Sequence, residues 1–312
     1  MTMMKSVSVH IVTFNSKDDI ETCIESIRQQ TYPNIQIIVV DNASTDGTRD
    51  CLRRYSGIKC LYNSENIGFA PAHNQAISHS QSDYMLVLNP DVVLEQHYVE
   101  RLVHVMEQHP SIGSCTGKLL LRDQPEYIDS TGLTMGRDRR ARDRGANEAE
   151  NQWSDSGYVF GVSGAAALYS RAMIQDISFG NEFFDASFFA YKEDVDVAWR
   201  AQLFGWDAWY EATAVGHHAR GWKPKARRNQ PLFIRQHSYI NRYRMMFKND
   251  NLKEMLPSVL RIVSIDLAMF GYAVVREPQL LKVWRSFIGD YRKLKQQRTW
   301  IQSRKKRKVR FY

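Results

Sequence analysis

The stretch Tyr84-Met85-Leu86-Val87-Leu88-Asn89-Pro90-Asp91 joins a short apolar run to a proline and a carboxylate. A brief apolar run that stops at a turn signal is typical of a strand buried on both faces. Pro90 holds Asn89 in an extended conformation and has no amide hydrogen to donate, so the strand should end there. Because α/β proteins bind ligands at the carboxyl ends of their strands, Asp91 is predicted to lie in a crevice, although Asn-Pro-Asp is also a common turn.

Four more strand-like runs occur in the first 120 residues, and helical segments separate them. The apolar spacing of Ile20, Cys23, Ile24 and Ile27 predicts an amphipathic helix packed on a sheet. The strand-like runs cover residues 7–13, 35–41, 58–62 and 112–115. This alternation predicts an α/β fold with a Rossmann-like parallel sheet and helices on both faces.

The rest of the chain is less regular. Residues 118–153 are polar and highly charged, which predicts a long loop. Helices are expected after Glu193, over residues 231–248, and through most of residues 252–300. We therefore expect a C-terminal helical extension beyond the α/β region.

Positive charge is concentrated at the C-terminus. The chain of 312 residues has a net charge of +8, and residues 291–312 contain ten Lys and Arg without an acid, so the remainder is near −2. Amphipathic helices followed by a basic tail are typical of a protein that lies on an anionic membrane surface. The alternative is a helical subdomain packed on the core with a solvated tail. Arg261 and Asp266 argue against a membrane span in the first of these helices.

Composition also bears on the compartment. The N-terminus lacks the pattern of a signal peptide, and no run of about 18 uncharged apolar residues occurs. We therefore expect a cytoplasmic protein, attached peripherally to the inner face of the membrane and without a nucleic-acid partner. Four cysteines without Cys-x-x-Cys spacing should be reduced and structural. They are Cys23, Cys51, Cys60 and Cys115.

Polar residues follow the first three predicted strands. Asp41 is suited to accept hydrogen bonds from a ribose or a base, while the turn at Gly68 opens a helix whose N-terminus would attract phosphate. Neither a P-loop nor a Gly-x-Gly-x-x-Gly fingerprint supports that use. Taken alone, these residues also fit ordinary turns and helix caps.

The order of the motifs is more specific than any one of them. Residues 9–15, Val39-Val40-Asp41-Asn42-Ala43-Ser44-Thr45-Asp46-Gly47, Asn66-Ile67-Gly68-Phe69-Ala70 and Leu88-Asn89-Pro90-Asp91 are followed by Ser163-Gly164-Ala165-Ala166 and Glu193-Asp194-Val195-Asp196. Over residues 7–250 this series resembles the family two inverting glycosyltransferases of GT-A fold. The rhamnosyltransferase-like branch that builds bacterial surface polysaccharides is the most similar.

The resemblance implies roles for the strand-end residues. Thr13, Asn15 and Asp41 would hold the nucleoside of a nucleotide-sugar donor, and Asn66 and Gly68 would line the donor pocket. Asn89-Pro90-Asp91 replaces the family's Asp-x-Asp element, whose last carboxylate binds a divalent cation, Mg²⁺ or Mn²⁺. Asp91 is the expected ligand, with Asn89 as a contact to the donor.

A histidine motif late in the chain would complete this site. By the same resemblance, His218, or else His217, binds the metal, and Arg220 binds the diphosphate. The neighbouring basic residues favour an anionic ligand. Less specific candidates for phosphate contact are His237, Asn241 and Arg242.

The remaining motif supplies the chemistry. The resemblance assigns Asp194 as the general base and Glu193 as a neighbour that orients the acceptor. We expect the N-terminus of the helix to keep Asp194 ionised without a large upward shift of its pKa. Without the other motifs, these acids would be read as ordinary residues of a first helical turn.

Three regions follow from these assignments. Residues 1–120 would bind the nucleotide sugar, residues 121–250 would bind the acceptor and catalyse transfer, and residues 251–312 would form the amphipathic helices and basic tail. The resemblance favours dTDP-rhamnose as donor and a glycan, free or lipid-linked, as acceptor. Alternatives are another hexose from a UDP- or GDP-sugar, a sugar nucleotidyltransferase, or a basic membrane- or nucleic-acid-binding module.

Overall fold

A computed structural model of the chain describes residues 4–219, 230–309 and 311. The strands are β1 (Val7–Thr13), β2 (Ile35–Asp41), β3 (Ile58–Tyr62), β4 (Tyr84–Leu88), β5 (Val92–Leu94), β6 (Ile112–Leu121), β7 (Gln124–Ser130), β8 (Leu133–Met135), β9 (Ala141–Asp143), β10 (Gly157–Val159), β11 (Ala166–Ser170) and β12 (Asp207–His218). The helices are α1 (Ile20–Arg28), α2 (Thr48–Arg53), α3 (Phe69–Ser78), α4 (Tyr98–Gln108), α5 (Arg171–Ile177), α6 (Glu193–Leu203), α7 (Leu232–Asn249), α8 (Leu252–Met255), α9 (Val259–Arg276) and α10 (Trp284–Ser303).

One large mixed sheet organises the α/β region. Its strands lie in the order β10-β12-β6-β11-β4-β1-β2-β3, with β5 paired to β12 and β7 paired to β6. Strands β3, β2, β1 and β4 are parallel, while β11 is antiparallel to both β4 and β6. Since β6 and β12 are also parallel to each other, the carboxyl ends of β1, β2, β4, β6 and β12 share one edge. The predicted first four strands are confirmed at their bounds.

Helices cover both faces of this sheet, as predicted. Alternate strand residues such as Val9 and Val39 pack with α1, α2 and α4 on one face. On the opposite face, residues such as Val87 and Tyr169 pack with α5 and α6, and Val40 packs with α3. The two apolar layers explain why the central strands contain almost no charged side chains.

The prediction of a long loop over residues 118–153 is wrong, because the segment contains strands. Strand β6 continues to Leu121, β7 pairs with it, and β8 and β9 form a two-stranded hairpin. The many charged residues of this segment indicated a solvated loop, but at least one of them is neutralised by a residue far along the chain. Arg139 is buried and its Nε lies 2.7 Å from Asp250 Oδ2. The sequence pattern shows that a residue is charged but not which residue pairs with it.

The predicted C-terminal helical extension is present, and a buried ionic cluster fixes it to the α/β region. Asp196 of α6 accepts hydrogen bonds from Lys248 Nζ at 3.0 Å and Asn249 Nδ2 at 2.7 Å, both on α7. Lys248 Nζ also lies 2.6 Å from Asp185, which Lys293 of α10 approaches at 3.3 Å. Helices α6 and α7 are therefore joined by charges that are shielded from water, and the partly exposed Lys293 connects α10 to the same cluster.

The basic tail is packed against the domain rather than freely solvated. Arg304 pairs with Asp176 at 2.5 Å, Arg307 pairs with Asp207 at 2.7 Å, and Lys305 pairs with Glu254. The aromatic ring of Phe311 lies beneath the Arg139 guanidinium, 3.7 Å from it. Much of the tail charge that we expected to face a membrane is thus matched by acids of the protein itself.

Only two residues of helix α9 are buried, Ile262 and Ala273. Within the described part of the chain, one segment, Leu252–Arg276, is long and apolar enough by length and composition to cross a membrane. Asp266 on this segment pairs with Arg242 of α7, and Ile262 and Ala273 are buried against the protein. These contacts fix one side of α9 to the domain.

Replacing Asp196 with Ala should destabilise the fold by about 3–5 kcal/mol, because buried Arg200, 3.2 Å from Asp196, loses its carboxylate partner and Lys248 keeps only Asp185. Urea denaturation followed by circular dichroism measures this loss. The exposed Asp155→Ala serves as the matched control and should change the free energy of unfolding by less than about 0.5 kcal/mol. Equal stability of the two variants would show that the cluster does not hold the helices.

Candidate active site

The ends of β1 and β2 meet around a buried carboxylate. Thr13 Oγ1 donates a hydrogen bond to Asp41 Oδ2 at 3.0 Å, and Arg49 Nε donates to Asp41 Oδ1 at 2.5 Å. Asp41 is fully buried, so this guanidinium compensates its charge. Sequence reasoning selected Thr13 and Asp41 but missed Arg49, whose position beside Asp41 depends on the first turn of α2.

Asn15 connects the two loops that follow these strands. It has a positive φ of 54°, a conformation that asparagine tolerates better than most residues. The backbone nitrogen of Asn15 donates to Ser44 Oγ at 2.9 Å, and its side-chain oxygen accepts from the backbone nitrogen of Thr45 at 2.9 Å. The structure therefore brings Thr13, Asn15 and Asp41 together, as expected for one binding surface.

Asn66 and Gly68 shape the start of α3. Gly68 has a φ of +96°, and a Cβ there would lie 2.6 Å from the ring of Phe189, so only glycine fits. Asn66 Oδ1 accepts from Gly68 N at 3.0 Å. The helix terminus that we considered for phosphate is partly engaged, because Ala70 N donates to the Phe189 carbonyl at 3.0 Å.

The Asn89-Pro90-Asp91 turn lies at the same edge of the sheet. Asn89 N donates to the Ala165 carbonyl at 2.9 Å, and Ala219 N donates to the Asp91 carbonyl at 2.9 Å. Strand β5 then pairs with the end of β12, with Val92 opposite His218. This register places the Asp91 carboxylate beside one histidine of the His217-His218 pair.

That histidine is His218. Its Nε2 lies 3.3 Å from Asp91 Oδ1, whereas His217 lies on the opposite face of the strand, with Nε2 3.5 Å from Glu95 Oε1. Consecutive residues of a strand point in opposite directions, so both histidines cannot reach Asp91. The structure therefore does not bring His217 to this site.

A second carboxylate behind His218 was missed by the sequence reasoning. Asp129 Oδ2 lies 2.8 Å from His218 Nδ1, and both side chains are buried. Burial lowers the pKa of His218, but the hydrogen bonds and charges of Asp129 and Asp91 outweigh it and raise the pKa to about 9. Asp129 was overlooked because it lies in the segment that we predicted to be a loop.

The donor set at this edge fits a divalent cation. A carboxylate oxygen of Asp91 and the Nε2 of His218 are adjacent, and Asp129 orients the imidazole from behind, as carboxylates commonly do for metal-binding histidines. A cation bound here would replace the proton on Nε2, because only the deprotonated nitrogen can be a ligand. No group of three or more His, Cys, Asp or Glu within the described residues is arranged to hold a metal. Such a two-ligand site suits Mg²⁺ or Mn²⁺, which take further ligands from substrate phosphates and water.

Four further candidates for phosphate binding have different outcomes. Arg220 lies outside the described residues. Asn241 donates hydrogen bonds to the carbonyls of Phe188, Ala190 and Tyr191 at 2.9–3.0 Å, and Arg242 pairs with Asp266, so both have structural roles. The ring of His237 is stacked 5.2 Å from that of Phe189, and burial lowers its pKa, which does not favour phosphate binding.

The segment held by Asn241 has an unusual backbone. Phe189, Tyr191 and Lys192 have φ values of 60°, 72° and 70°, and Lys192 directly precedes α6. Bulky residues with positive φ are strained, and such strain persists only where surrounding contacts impose it. Asn241 supplies those contacts from α7 and so fixes the entry into the helix that begins with Glu193.

The loop Gly164-Ala165 connects Asp194 to the Asn89-Pro90-Asp91 turn by hydrogen bonds. Asp194 Oδ2 accepts from Gly164 N at 3.1 Å, and the next residue, Ala165, accepts from Asn89 N. The carboxylate at the start of α6 and the turn that carries Asp91 are therefore anchored on adjacent residues. This is the closest link between the two groups that sequence reasoning placed in one site.

Glu193 and Asp194 are in different environments. Asp194 accepts two backbone hydrogen bonds, from Gly164 and Val195, whereas Glu193 Oε2 is buried without a hydrogen-bond partner among the described residues. Burial and the charge of Asp194 raise the pKa of Glu193 to about 8, so it is largely protonated at neutral pH. Burial also raises the pKa of Asp194, because desolvation outweighs its hydrogen bonds to Gly164 and Val195.

Residues 8–178 match the model of glycosyl transferase family 2. The chain belongs to that family. It is 36% identical over 106 residues to the UDP-Glc:α-D-GlcNAc-diphosphoundecaprenol β-1,3-glucosyltransferase of Escherichia coli, covering 33% of this chain and 42% of that protein. It is 20% identical over 220 residues to the poly-β-1,6-N-acetyl-D-glucosamine synthase of Staphylococcus epidermidis, covering 68% and 49%. The chain thus spans about half the length of these relatives.

Solved structures confirm the GT-A fold. The mannosyltransferase of Pyrobaculum calidifontis in complex with GDP-Man and Mn²⁺ superposes with a TM-score of 0.59 at 17% identity, over 97% of this chain and 85% of that one. GalNAc-T7 with UDP, GalNAc and Mn²⁺ superposes with a TM-score of 0.63 at 12% identity, over 80% and 48%. The family assignment also disfavours the nucleotidyltransferase and basic-module alternatives.

Glu193→Gln should stabilise the protein increasingly as pH rises. The pKa of Glu193 is about 8 in the folded protein, well above that of an unfolded glutamate. As pH rises towards 8, the unfolded chain loses this proton before the folded protein does, so the free energy of unfolding falls. The glutamine variant cannot ionise, so its advantage over the parent should be larger at pH 8 than at pH 5. Urea denaturation at both values measures it, and a pH-independent difference would contradict the raised pKa.

Proposed function

We propose that this chain is an inverting glycosyltransferase that moves a sugar from a nucleoside diphosphate sugar to a hydroxyl group of a growing bacterial polysaccharide. The observation that carries the proposal is the link from Asp194 through Gly164-Ala165 to the Asn89-Pro90-Asp91 turn. It anchors a carboxylate suited to deprotonate an acceptor, and the turn that carries a carboxylate suited to hold the donor's cation, on adjacent residues. Both lie at the carboxyl edge of the sheet, where α/β folds bind ligands.

Asp194 would act as the base for the acceptor hydroxyl. Inversion requires that hydroxyl to attack the anomeric carbon on the face opposite the leaving group, while one side chain accepts its proton. Asp194 is the better candidate of the two acids, because its two backbone hydrogen bonds favour the ionised form. Protonated Glu193 would instead donate a hydrogen bond that orients the acceptor.

The donor would lie across the ends of β1, β2 and β4. Asp41, held by Thr13 and Arg49, would accept hydrogen bonds from the nucleoside, and Asn15, Asn66 and Gly68 would form the adjoining wall. Asp91 and His218 would hold a Mg²⁺ or Mn²⁺ ion, which, when bound, neutralises charge on the departing nucleoside diphosphate. Asn89 and Arg220 would contact the diphosphate.

The resemblance of the motifs favours dTDP-rhamnose as donor, and another hexose from a UDP- or GDP-sugar is the alternative. The relative from Escherichia coli is named for a UDP-sugar donor and a diphosphoundecaprenol-linked acceptor, and the Pyrobaculum structure holds GDP-Man. These names support a nucleotide sugar and a lipid-linked glycan as the two substrates here. Such an acceptor would require the enzyme to work at the inner face of the cell membrane, as a peripheral cytoplasmic protein.

A panel of nucleotide sugars, including dTDP-rhamnose, tests the proposal through Mn²⁺-dependent binding and slow donor hydrolysis. We expect one donor to bind, and Asp91→Asn or His218→Ala to weaken its Mn²⁺-dependent binding by at least about tenfold, since each removes a ligand of the cation. Calorimetry with and without Mn²⁺ measures the effect.

His217→Ala is the matched control for the metal site, because this neighbouring histidine faces Glu95 on the other side of the strand. It should leave donor affinity and its Mn²⁺ dependence unchanged. Loss of Mn²⁺ dependence in His217→Ala but not in His218→Ala would overturn the assignment. Failure of every nucleotide sugar to bind would overturn the proposed function itself.

A further inference from the structure

An apolar cavity of about 270 Å³ lies between α7, α9 and the short helix Pro278–Val283. Carbon atoms form most of its wall, which includes Ile265, Ala268, Met269 and Leu280. Ala268 and Tyr272 of this wall are exposed, so the cavity opens on the surface of α9. Its volume is near the lower limit of small-molecule sites, about 300 Å³, so it suits one segment of a chain-like ligand.

Two polar groups stand out in this apolar wall. Arg140, at the tip of the β8–β9 hairpin, has no ion-pair partner among the residues that the structure describes. The hydroxyl of Tyr239 is buried and interacts with the hydroxyl of Tyr243. A guanidinium without an ion-pair partner in the described ranges, beside an apolar cavity, matches a ligand that joins an apolar chain to a phosphate.

The hairpin that carries Arg140 reaches the catalytic helix. Burial lowers the pKa of Lys192, and the positive charges of Arg242 and Arg140 lower it further, against the charge of Asp194. Asp143, at the end of β9, contributes to the raised pKa of Asp194 after burial. Charges of this hairpin are therefore close enough to act on the residues at the start of α6.

The surface around the cavity mouth is apolar and basic. Seven residues of α8, α9 and their junction recur every three or four positions on the outward side, with exposed fractions from 47% to 84%. They are Leu252, Leu256, Leu260, Val263, Leu267, Phe270 and Val274. Every exposed charged residue from 252 to 295 is basic, as an anionic membrane surface requires. A lipid chain leaving the membrane at this surface would meet the cavity directly.

We infer that this cavity binds the lipid carrier of the acceptor, an apolar chain bearing a diphosphate, with Arg140 paired to that diphosphate. The inference rests on the proposed function and adds the site at which the acceptor is recognised. A single chain suits the cavity better than the two chains of a bulk phospholipid, because the volume is small. Arg140 would then fix the diphosphate so that the attached sugar extends towards Asp194.

Farnesyl diphosphate, a short isoprenoid diphosphate, is a suitable probe. Calorimetric titration of the full chain in EDTA prevents its diphosphate from binding through a cation at the donor site. We expect saturable binding that is at least tenfold tighter than that of inorganic pyrophosphate. Ala268→Trp, which fills the cavity, and Arg140→Gln, which removes the phosphate partner, should each weaken binding by about tenfold or more.

Two matched variants control for general effects. Ser264→Trp places the same bulky side chain on the exposed side of α9, and Arg137→Gln removes a cation from the same hairpin tip outside the cavity wall. Both should bind farnesyl diphosphate as the parent chain does. All four variants should retain the parent's thermal midpoint, which excludes unfolding as the cause of lost binding.

Three results would overturn the inference. They are equal affinity for farnesyl diphosphate and pyrophosphate, unchanged binding in Ala268→Trp, and displacement of farnesyl diphosphate by vesicles of anionic phospholipid. The last would show a general lipid surface rather than a carrier site. If donor hydrolysis persists while farnesyl diphosphate fails to bind, this inference alone falls. If no nucleotide sugar binds the parent chain, the proposed function falls instead.

Discussion

The packing of α6 against α7 depends on the hydrogen bonds and ion pair that the buried Asp196 carboxylate makes with α7. Asp196 belongs to the same first turn and a half of α6 as Asp194, and it binds Lys248 and Asn249 of α7 at 3.0 and 2.7 Å. Burying these charges is costly unless each finds its partner, so the cluster admits one relative position of the two helices. That position in turn places Asn241 where it holds the strained backbone before Glu193. The third acid of the Glu193-Asp194-Val195-Asp196 motif is thus structural, while the first two are the proposed acceptor contact and base.

Much of the α/β region follows from the sequence, because local patterns are sufficient there. Strands β1, β2 and β4 lie where apolar runs predicted them, since burial between two helical layers demands continuous hydrophobic residues, and the edge strand β3 also lies at its predicted bounds. Two features did not follow. The choice between His217 and His218 depends on the register of β12 with β5, which no local pattern contains. Asp129 and the β8–β9 hairpin were missed because their charges are neutralised by residues far along the chain.

The C-terminal region has two different surfaces, the basic tail and the outward side of α9, which the sequence analysis treated as one membrane-facing surface. The tail residues Arg304, Lys305 and Arg307 are paired with acids of the domain, so their charge belongs to folding. Helix α9 instead presents apolar side chains outward, and its exposed charged residues, Arg261 and Arg276, are basic. An enzyme that transfers sugar from a soluble nucleotide sugar to a lipid-linked glycan needs one polar site and one apolar site. The sheet edge would serve the first substrate and the α7–α9 cavity the second.

In the proposed reaction, Asp194 removes the acceptor proton while the donor is held elsewhere on the sheet edge. The most direct measurement compares Asp194→Asn with the parent chain for sugar transfer to acceptor and for Mn²⁺-dependent donor binding. We predict that transfer falls by about 10²–10⁴-fold, the usual contribution of a general base, while donor affinity is unchanged. Retained transfer, or loss of donor binding together with transfer, would contradict the account, because either result would remove Asp194 from the role of base.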